Sequence, residues 1–298
     1  MFLEKFVLPN MSVEDHLVTC MVASQGYLDN AYPCGLFSLK EFRELDFEKI
    51  TILYGGNGSG KSTLLNVIAN KLKIKRIAPF NNSDMFDMYV NKCEYKMCLD
   101  EFDEEILLPE NSRIITSDDI FDYMLTLRSN NAEIDDIREN AKKGYAELKY
   151  GKSIRLNGIN DYEEFRLQIQ ARRKTVTRRK FIDQIAGKGT KLNSNGETAL
   201  KYFYEFLKPD TLYLLDEPEN SLSPKMQLEL VKNLEELAKY FGCQFIIATH
   251  SPFILSMNNA KIYDLDDFPV SIKKWWQLDN TKTYFEFFNK HKKLFEDG

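Results

Sequence analysis

Short apolar runs that end in glycine-rich or polar segments predict buried strands along this 298-residue chain. The clearest runs are residues 50–54, 211–215, 244–248 and 262–265, and earlier strand-like segments cover residues 2–8, 16–23 and 35–42. Apolar residues recur at helical spacing in segments that begin near Ser62, at Thr198 and at Lys225. Strands that alternate with helices in this way indicate an α/β fold.

The pattern changes between residues 81 and 191, where helical periodicity and charge replace the apolar runs. Helices are predicted over residues 118–127, 133–148 and 161–185. We therefore interpret 1–298 as one domain, in which a helical lobe of residues 81–191 is inserted between core halves 1–80 and 192–298. Residues 172–180 of this lobe carry six positive charges, which would suit a DNA backbone or an acidic partner. A solvated helix face is the favoured interpretation.

The C-terminal region is rich in aromatic residues, with Trp275 and Trp276 ahead of a predicted helix around residues 284–288. Packing onto the core is the favoured role, and a partner-docking surface is the alternative. Tyr32 and Phe37 are two further aromatic residues that could stack on an adenine ring, although aromatic residues at such spacing more often belong to a core.

Composition narrows the function classes. The net charge of −5 gives no overall argument for nucleic-acid binding. The five cysteines and three histidines are scattered and lack metal-ligand spacing, which argues against a zinc site and against a disulfide framework. The N-terminus lacks the apolar core of a signal peptide, and no stretch has the length that a bilayer span needs. We expect a cytoplasmic protein without membrane insertion.

The strongest chemical signal is the sequence Gly-Gly-Asn-Gly-Ser-Gly-Lys-Ser at residues 55–62, which fits the phosphate-binding pattern G-x-x-x-x-G-K-[ST]. A predicted strand precedes it and a predicted helix follows, which is the context that this motif requires. The backbone amides of such a loop surround phosphate oxygens, Lys61 would reach the β- and γ-phosphates, and Ser62 would coordinate Mg²⁺. The predicted nucleotide-binding residues are Gly55, Gly56, Asn57, Gly58, Ser59, Gly60, Lys61, Ser62 and Thr63.

Three other segments supply polar groups at places where such a site would need them. Asp216 and Glu217 end the predicted strand 211–215, where Asp216 would hold Mg²⁺ and Glu217 would polarise the attacking water. His250 follows the strand 244–248 and is placed to contact the γ-phosphate. Ser194 and Gly196 begin a predicted helix, whose N-terminus would favour an anion, although Ser-Asn-Gly is also a common turn.

In order and combination, these four segments resemble the ABC-type ATPase superfamily. More narrowly, they resemble the small stand-alone bacterial AAA family ATPases of the SMC-like and overcoming-lysogenization-defect-like branch. The resemblance implies a P-loop NTPase core, with a mixed sheet flanked by helices, and ATP and Mg²⁺ as cofactors. It also implies a homodimer that encloses two ATP molecules head to tail. Lys61, Glu217 and His250 of one subunit would then meet Ser194 and Gly196 of the other, with Ser221 in a loop that communicates across the dimer.

Two departures from the family pattern stand out. Asn193, Asn195 and Glu197 replace three residues of the usual Leu-Ser-Gly-Gly-Gln signature. No glutamine occurs between Gln25 and Gln168, so the family's Q-loop residue has no obvious match. Asn81, Asn82 and Asn91 are the open alternatives for it.

The leading functional hypothesis is an ATP-driven switch that acts on a protein effector, such as a nuclease, or on DNA, in phage defence or DNA maintenance. The first alternative is the ATP-binding subunit of a membrane transporter. The second is an ATP-gated binding module with little turnover, against which the presence of Glu217 argues.

Overall fold

The computed structural model describes residues 1–26, 30–80, 82–154, 161–187 and 194–296. The chain forms two compact units, one from Met1–Ile120 with Asn195–Gly298 and the other from Phe121–Ser194. The strands are β1 (Leu3–Val7), β2 (Glu44–Asp46), β3 (Ile50–Tyr54), β4 (Glu94–Met97), β5 (Arg113–Thr116), β6 (Leu212–Asp216), β7 (Gln244–Thr249), β8 (Lys261–Asp264) and β9 (Ser271–Lys273).

The helices of the larger unit come from the parts of the chain before and after the second unit. They are α1 (Met11–Gln25), α2 (Lys61–Lys71), α3 (Asp84–Lys92), the beginning of α4 (Ser117–Tyr150), α7 (Asn195–Phe206), α8 (Pro224–Tyr240), α9 (Pro252–Leu255), α10 (Asp279–Lys290) and α11 (Lys292–Glu296). The second unit contains the rest of α4 together with α5 (Tyr162–Arg172) and α6 (Arg178–Ala186).

The main sheet has the strand order β5-β6-β7-β3-β8-β9, in which β9 is antiparallel to β8 and the other pairs are parallel. Because parallel strands share a direction, the segments that follow β3, β6 and β7 lie at one edge of the sheet. These segments are the phosphate loop, the acidic pair and His250. The mixed sheet and its helices confirm the predicted α/β fold.

A smaller antiparallel sheet has the order β2-β1-β4. The fully buried Gln244 at the start of β7 joins it to the main sheet. Oε1 of Gln244 accepts hydrogen bonds from the amides of Phe2 and Leu3, at 2.8 and 2.9 Å. Nε2 of the same side chain donates to the Leu3 carbonyl at 2.8 Å. The side chain thus acts as a peptide-like link between the two sheets.

Most of the predicted core elements are present, but several N-terminal and lobe predictions were wrong. Residues 16–23 belong to the helix α1, where Leu17 and Met21 pack with Met85 of α3. Residues 35–42 contain a 3₁₀ turn, Ser38–Lys40, in place of a strand. The two helices predicted over 118–148 are one helix, α4, while the one predicted over 161–185 is divided into α5 and α6.

The boundary of the lobe also differs from the predicted one. Residues 82–120 contain α3, β4 and β5, and they belong to the larger unit. β4 pairs with β1 and β5 pairs with β6, so both strands are parts of the two sheets. The strands β4 and β5 give a weak sequence signal, because each has only four residues and the first three residues of β4 are exposed, so little periodicity is visible.

The second unit has a small core of its own, in which the rings of Tyr145 and Phe181 lie 5.2 Å apart. The guanidinium of Arg172 donates hydrogen bonds to the carbonyls of Leu148 and Gly151 and to Oγ of Ser153. These contacts satisfy carbonyls at the C-terminal end of α4, where a cation is also favoured by the helix dipole. Arg172 therefore has a structural role within the basic stretch.

Candidate functional site

The phosphate loop connects β3 to α2 and depends on two glycines in left-handed backbone conformations. Gly58 has a φ of 81° and Gly60 a φ of 103°. A Cβ atom at Gly60 would lie 3.0 Å from the ring of Phe37 and 3.1 Å from Leu36. Backbone strain and close packing together therefore require glycine at position 60.

Lys61 begins α2 and is only 5% exposed. Its Nζ donates hydrogen bonds to the carbonyls of Gly55 at 2.8 Å and of Gly56 at 3.0 Å. The ammonium group is thus held across the loop, next to the free amides at the N-terminus of α2. This arrangement places positive charge where an anion would bind.

Two contacts that the sequence analysis missed hold the loop from outside. Oδ2 of Asp266, in the segment after β8, accepts a hydrogen bond of 2.7 Å from the amide of Gly56. Nζ of Lys40 donates to the carbonyls of Ser59, at 3.0 Å, and of Leu265, at 2.5 Å. Both residues are far from the motif in sequence, so only the fold brings them to it.

The acidic pair lies beside the loop. Oγ of Ser62 donates a hydrogen bond of 2.9 Å to Oδ1 of Asp216, the last residue of β6. Burial raises the pKa of Asp216 to about 6, and the hydrogen bond from Ser62 opposes part of that increase. Neighbouring hydroxyl and carboxylate oxygens are ligands that Mg²⁺ accepts.

Glu217 adopts a left-handed backbone conformation with a φ of 47°. Its amide donates to the carbonyl of Ala248 at 2.9 Å, and its Oε2 accepts a hydrogen bond of 3.2 Å from Nδ2 of Asn220. Nδ1 of His250 lies 3.7 Å from Oε1 of Glu217. The fold therefore brings Glu217 and His250 together from two neighbouring strands.

Glu219, in the segment between β6 and α8, is a residue that the sequence analysis did not single out. Its side chain is 6% exposed, and its Oε1 accepts hydrogen bonds from Oγ1 of Thr249 at 2.6 Å and from the amide of His250 at 3.1 Å. Nδ1 of His250 lies 3.5 Å from the same oxygen. Glu219 thus fixes the segment that carries His250.

A cavity of about 330 Å³ opens over the phosphate loop, lined by Tyr32, Leu36, residues 57–63 and Glu217. The hydroxyl of Tyr32 donates a hydrogen bond of 2.8 Å to Oγ1 of Thr63. Phe37 is fully buried in the core, so the suggestion that its ring stacks on an adenine was wrong. Of the two aromatic candidates, Tyr32 is the one at the cavity.

This geometry agrees with a comparison between the chain and known protein families. The family model described as "ABC transporter" matches residues 44–220, and the model described as "AAA ATPase domain" matches residues 192–255. The chain belongs to the ABC-type ATPase family. It is accordingly an ATP-binding P-loop protein and an ATPase. In the part of the chain that the structure describes, every helix is too short or too polar to cross a membrane.

Several curated proteins are similar to the chain. The petrobactin import ATP-binding protein YclP of Bacillus subtilis is 24% identical over 228 residues, which cover 76% of this chain and 73% of YclP. The tungstate uptake system ATP-binding protein TupC of Campylobacter jejuni is 24% identical, over 82% of this chain and 66% of TupC. An uncharacterized ABC transporter ATP-binding protein/permease of Saccharomyces cerevisiae is 25% identical over 83% of this chain, which spans only 18% of the yeast protein.

Solved structures with similar chains include two kinds of protein. One is the ATP-binding cassette MJ0796 in a dimeric post-hydrolysis state bound to ADP and Pi, with 15% identity, a TM-score of 0.35, and coverage of 78% of this chain and 88% of that one. The other is the SMC head domain from Thermotoga maritima, with 13% identity, a TM-score of 0.36, and coverage of 92% and 99%.

Gly196, the signature glycine of this ABC-type ATPase, is absent from the lining of the cavity over the phosphate loop. Ser194 is exposed, and Gly196 is buried in the first turn of α7. A Cβ atom at Gly196 would lie 2.5 Å from Sδ of Met226 and 3.1 Å from the carbonyl of Ser221. Gly196 therefore packs directly on the loop of Ser221, whereas Asn193 falls outside the described residues.

The Q-loop alternatives gain no support from their positions. Asn82 donates to Oδ2 of Asp87 at 3.4 Å, and Asn91 is exposed near the end of α3. Neither residue lines the cavity over the phosphate loop, and Asn81 falls outside the described residues. Thr116 is the residue that pairs in register with Asp216, at the end of the strand next to β6.

Proposed function

We propose that this ABC-type ATPase hydrolyses ATP with Mg²⁺, dimerises head to tail around the nucleotide, and uses this cycle to switch its interaction with a protein effector. The observation that carries the proposal is the convergence of Ser62, Asp216, Glu217 and His250 at one edge of the main sheet. A hydroxyl, two carboxylates and an imidazole beside a phosphate loop are the groups that metal-assisted phosphoryl transfer to water requires.

Ser62 and Asp216 are the proposed holders of Mg²⁺, because their oxygens already lie 2.9 Å apart beside the loop. A bound Mg²⁺ would neutralise phosphate charge. Lys61 and the loop amides would bind the β- and γ-phosphates, with the ammonium group leaving the carbonyls of Gly55 and Gly56. When the ammonium group of Lys61 exchanges these carbonyls for phosphate oxygens, its positive charge stays beside the phosphate loop.

Glu217 is the proposed general base, and His250 the proposed γ-phosphate contact. The bond from the Glu217 amide to the Ala248 carbonyl and the bond from Asn220 fix the carboxylate at the edge of the cavity. Glu219 fixes the backbone of His250 from the other side. The two groups are therefore held in place before the nucleotide binds, as electrostatic catalysis favours.

Ser194 and Gly196 are the proposed contacts to the ATP of the partner subunit. The absence of Gly196 from the lining of the cavity over the phosphate loop supports a role in trans. The close packing of Gly196 on the Ser221 carbonyl supports a link between nucleotide state and the loop after Glu217. Nucleotide release would then alter the interface through this loop.

The exposed charges of the basic stretch bear on the kind of effector. Within the basic stretch, Arg172 donates hydrogen bonds to the carbonyls of Leu148 and Gly151, and Arg178 donates to the Lys142 carbonyl. These two side chains therefore stabilise the second unit. Arg173, Lys174, Arg179 and Lys180 remain exposed. This smaller patch supports a protein effector over DNA, because few phosphates could be neutralised.

A transporter subunit is the second candidate function, which the names of YclP and TupC support. The absent Q-loop glutamine argues against it. Reconstitution of ATPase activity with a permease would favour this candidate, whereas full turnover by the chain alone would favour the switch.

The test of the proposed cycle is the solution mass of Glu217→Gln, measured by light scattering with and without ATP and Mg²⁺. The substitution keeps the side-chain size and removes the base, so we expect ATP to convert monomer into stable dimer. The double variant with Ser194→Arg should stay monomeric, since the added side chain would block the partner's nucleotide. A mass that does not change with ATP would refute head-to-tail dimerisation.

A further inference from the structure

A second cavity of about 530 Å³ is lined by His250 and by residues of α10. Five aromatic residues contribute to its walls: Phe253, Trp275, Tyr284, Phe285 and Phe288. None of these residues belongs to the lining of the cavity over the phosphate loop. Its volume is in the range of cavities that bind small molecules or single side chains.

Two residues that line this cavity each have a buried side-chain oxygen without a hydrogen-bond partner among the described residues. These oxygens are Oε2 of Glu219 and Oγ1 of Thr281. Glu219 is 6% exposed and Thr281 is 7% exposed. The other oxygen of Glu219 is fully used by Thr249 and His250. A carboxylate oxygen left without a donor is unfavourable in an apolar surrounding, so a ligand that supplies one would be stabilised there.

The outer surface beside the cavity is apolar and exposed. Phe285 is 69% exposed, and Trp276, Phe288, Leu294 and Phe295 are also exposed on the same C-terminal segment. The favoured sequence interpretation packed Trp276, Phe285 and Phe288 onto the core, and for these three side chains it was wrong. Exposed apolar patches of this kind mark protein-binding surfaces.

We propose that the cavity binds an arginine side chain of the protein effector, whose flanking apolar residues cover the exposed aromatic residues of α10 and α11. A guanidinium is planar, stacks on aromatic faces and presents several donors at once. Its N–H groups would satisfy Glu219 Oε2 and Thr281 Oγ1 after small rotations of these side chains. A lysine would offer the charge but not the planar stacking.

A ligand in this cavity would affect the ATPase site, because Glu219 and Asn280 both contact His250. Oε1 of Glu219 lies 3.5 Å from Nδ1 of His250, and Nδ2 of Asn280 in α10 donates to the His250 carbonyl at 2.8 Å. A cation on Glu219 would compete with its bonds to Thr249 and His250. This regulatory consequence rests on the proposed role of His250, whereas binding itself does not.

The direct test uses benzylguanidinium and its neutral isostere benzylurea as probes for the full-length chain. Their affinities are measured by isothermal titration calorimetry without nucleotide. We expect benzylguanidinium to bind at least tenfold more tightly than benzylurea. The preference should fall below twofold in Glu219→Gln, and should remain in the control Glu235→Gln, which changes a carboxylate of α8 that bonds to Asn258 outside this cavity.

A second variant tests the same proposal if Glu219→Gln does not fold. Thr281→Val keeps the shape of the side chain and removes its hydroxyl, so it should lower the affinity for benzylguanidinium about threefold to tenfold. Phe285→Ala should weaken both probes equally. Equal binding of the two probes to the unmodified chain, or a preference unaffected by both cavity variants, would overturn the proposal.

The regulatory consequence has its own readout. Saturating benzylguanidinium should change the kcat of ATP hydrolysis by at least twofold, and Glu219→Gln should lose this response. If the guanidinium preference holds but the light-scattering test of Glu217→Gln fails, the arginine site stands without the dimer cycle. If the dimer forms but the preference is absent, the effector binds elsewhere.

Discussion

The hydroxyl of Ser62 donates a 2.9 Å hydrogen bond to Asp216, a residue 154 positions away along the chain. This bond joins the start of α2 to the end of β6, and it brings together the two groups that we propose to hold Mg²⁺. The fold therefore places these two oxygens side by side.

Asp216→Asn should stabilise the nucleotide-free protein at alkaline pH while abolishing Mg²⁺-dependent hydrolysis. Burial raises the pKa of Asp216 to about 6, above the value of 3.8 for an unperturbed aspartate, so folding is disfavoured by the charged carboxylate. This penalty is absent below about pH 4, grows as the pH rises to 6, and is complete above it. We expect a gain of about 1 kcal/mol at pH 8, because partial exposure reduces the full linkage energy.

Calorimetry at pH 8 and pH 5 measures this effect as a difference between melting temperatures. The gain should be about 2–4 °C at pH 8 and smaller at pH 5. The control is Asp122→Asn, which neutralises an exposed carboxylate of α4. A variant at Asp216 that is equally destabilised at both pH values would show that burial of this charge does not limit stability.

Gly60→Ala should weaken ATP binding at least tenfold and destabilise the fold by about 1–3 kcal/mol. The φ of 103° disfavours any L-amino acid with a side chain, and a Cβ atom would press on Phe37 and Leu36. The control is Gly144→Ala, in the middle of α4, where a Cβ atom would meet no neighbour within 4 Å. That change should stabilise its helix by up to about 1 kcal/mol. For both variants, urea titration measures the free energy of unfolding and nucleotide titration measures the affinity for ATP.

Asp266→Ala should raise the KM for ATP about threefold to tenfold, with little change in kcat. The carboxylate holds the amide of Gly56 at 2.7 Å, and without it the first turn of the loop loses its anchor. Asp266→Asn retains an oxygen acceptor and should recover most of the affinity. If Asp266→Asn behaves like Asp266→Ala, the charge of the residue matters and the hydrogen bond does not.

Tyr32→Ala should reduce affinity for ATP at least fivefold and leave affinity for inorganic tripolyphosphate nearly unchanged. The ring borders the cavity over the phosphate loop, so its loss should affect the base and not the phosphates. Tyr32→Phe removes only the hydrogen bond to Thr63 and should cost less than threefold. Competition titrations with both ligands distinguish the two effects. An equal loss for both ligands would assign Tyr32 to the loop and not to the base.

Arg172→Ala should destabilise the second unit by about 1–2 kcal/mol, because three acceptors near the end of α4 lose their donor. Arg179→Ala should leave stability unchanged, since that side chain is 94% exposed. Hydrogen exchange of α4 and α5 reports the difference. Should DNA be the effector, Arg179→Ala would also weaken DNA binding at low salt, an outcome that the protein-effector proposal does not expect.

The sequence was most informative where chemistry and periodicity coincide. The residues of the phosphate loop, Asp216, Glu217 and His250 were all predicted from motifs at strand ends, and the structure brings them to one edge of a parallel sheet. Lys40, Glu219 and Asp266 were not predicted. Each acts through a contact between segments distant in sequence, such as the bond from Gly56 to Asp266, and no local pattern encodes such a contact.

The errors in secondary structure have a similar origin. Residues 16–23 form a helix because Leu17 and Met21 pack on Met85, a contact across more than sixty positions of the sequence. The strand β5 is only four residues long and exists because it pairs with β6. In both cases tertiary packing decides between conformations that local propensity leaves nearly equal.

The left-handed backbone conformation of Glu217 lowers the stability of the fold at the position where the proposed reaction needs a carboxylate. Its φ of 47° is unfavourable by about 1 kcal/mol for any residue with a side chain, whereas glycine adopts it freely. A directed-evolution screen for heat resistance would therefore enrich glycine at position 217 and discard the proposed base. If a heat-resistant variant of this protein has lost ATP turnover, the residue at position 217 should be determined first. Glycine there would explain the loss without any change in rigidity.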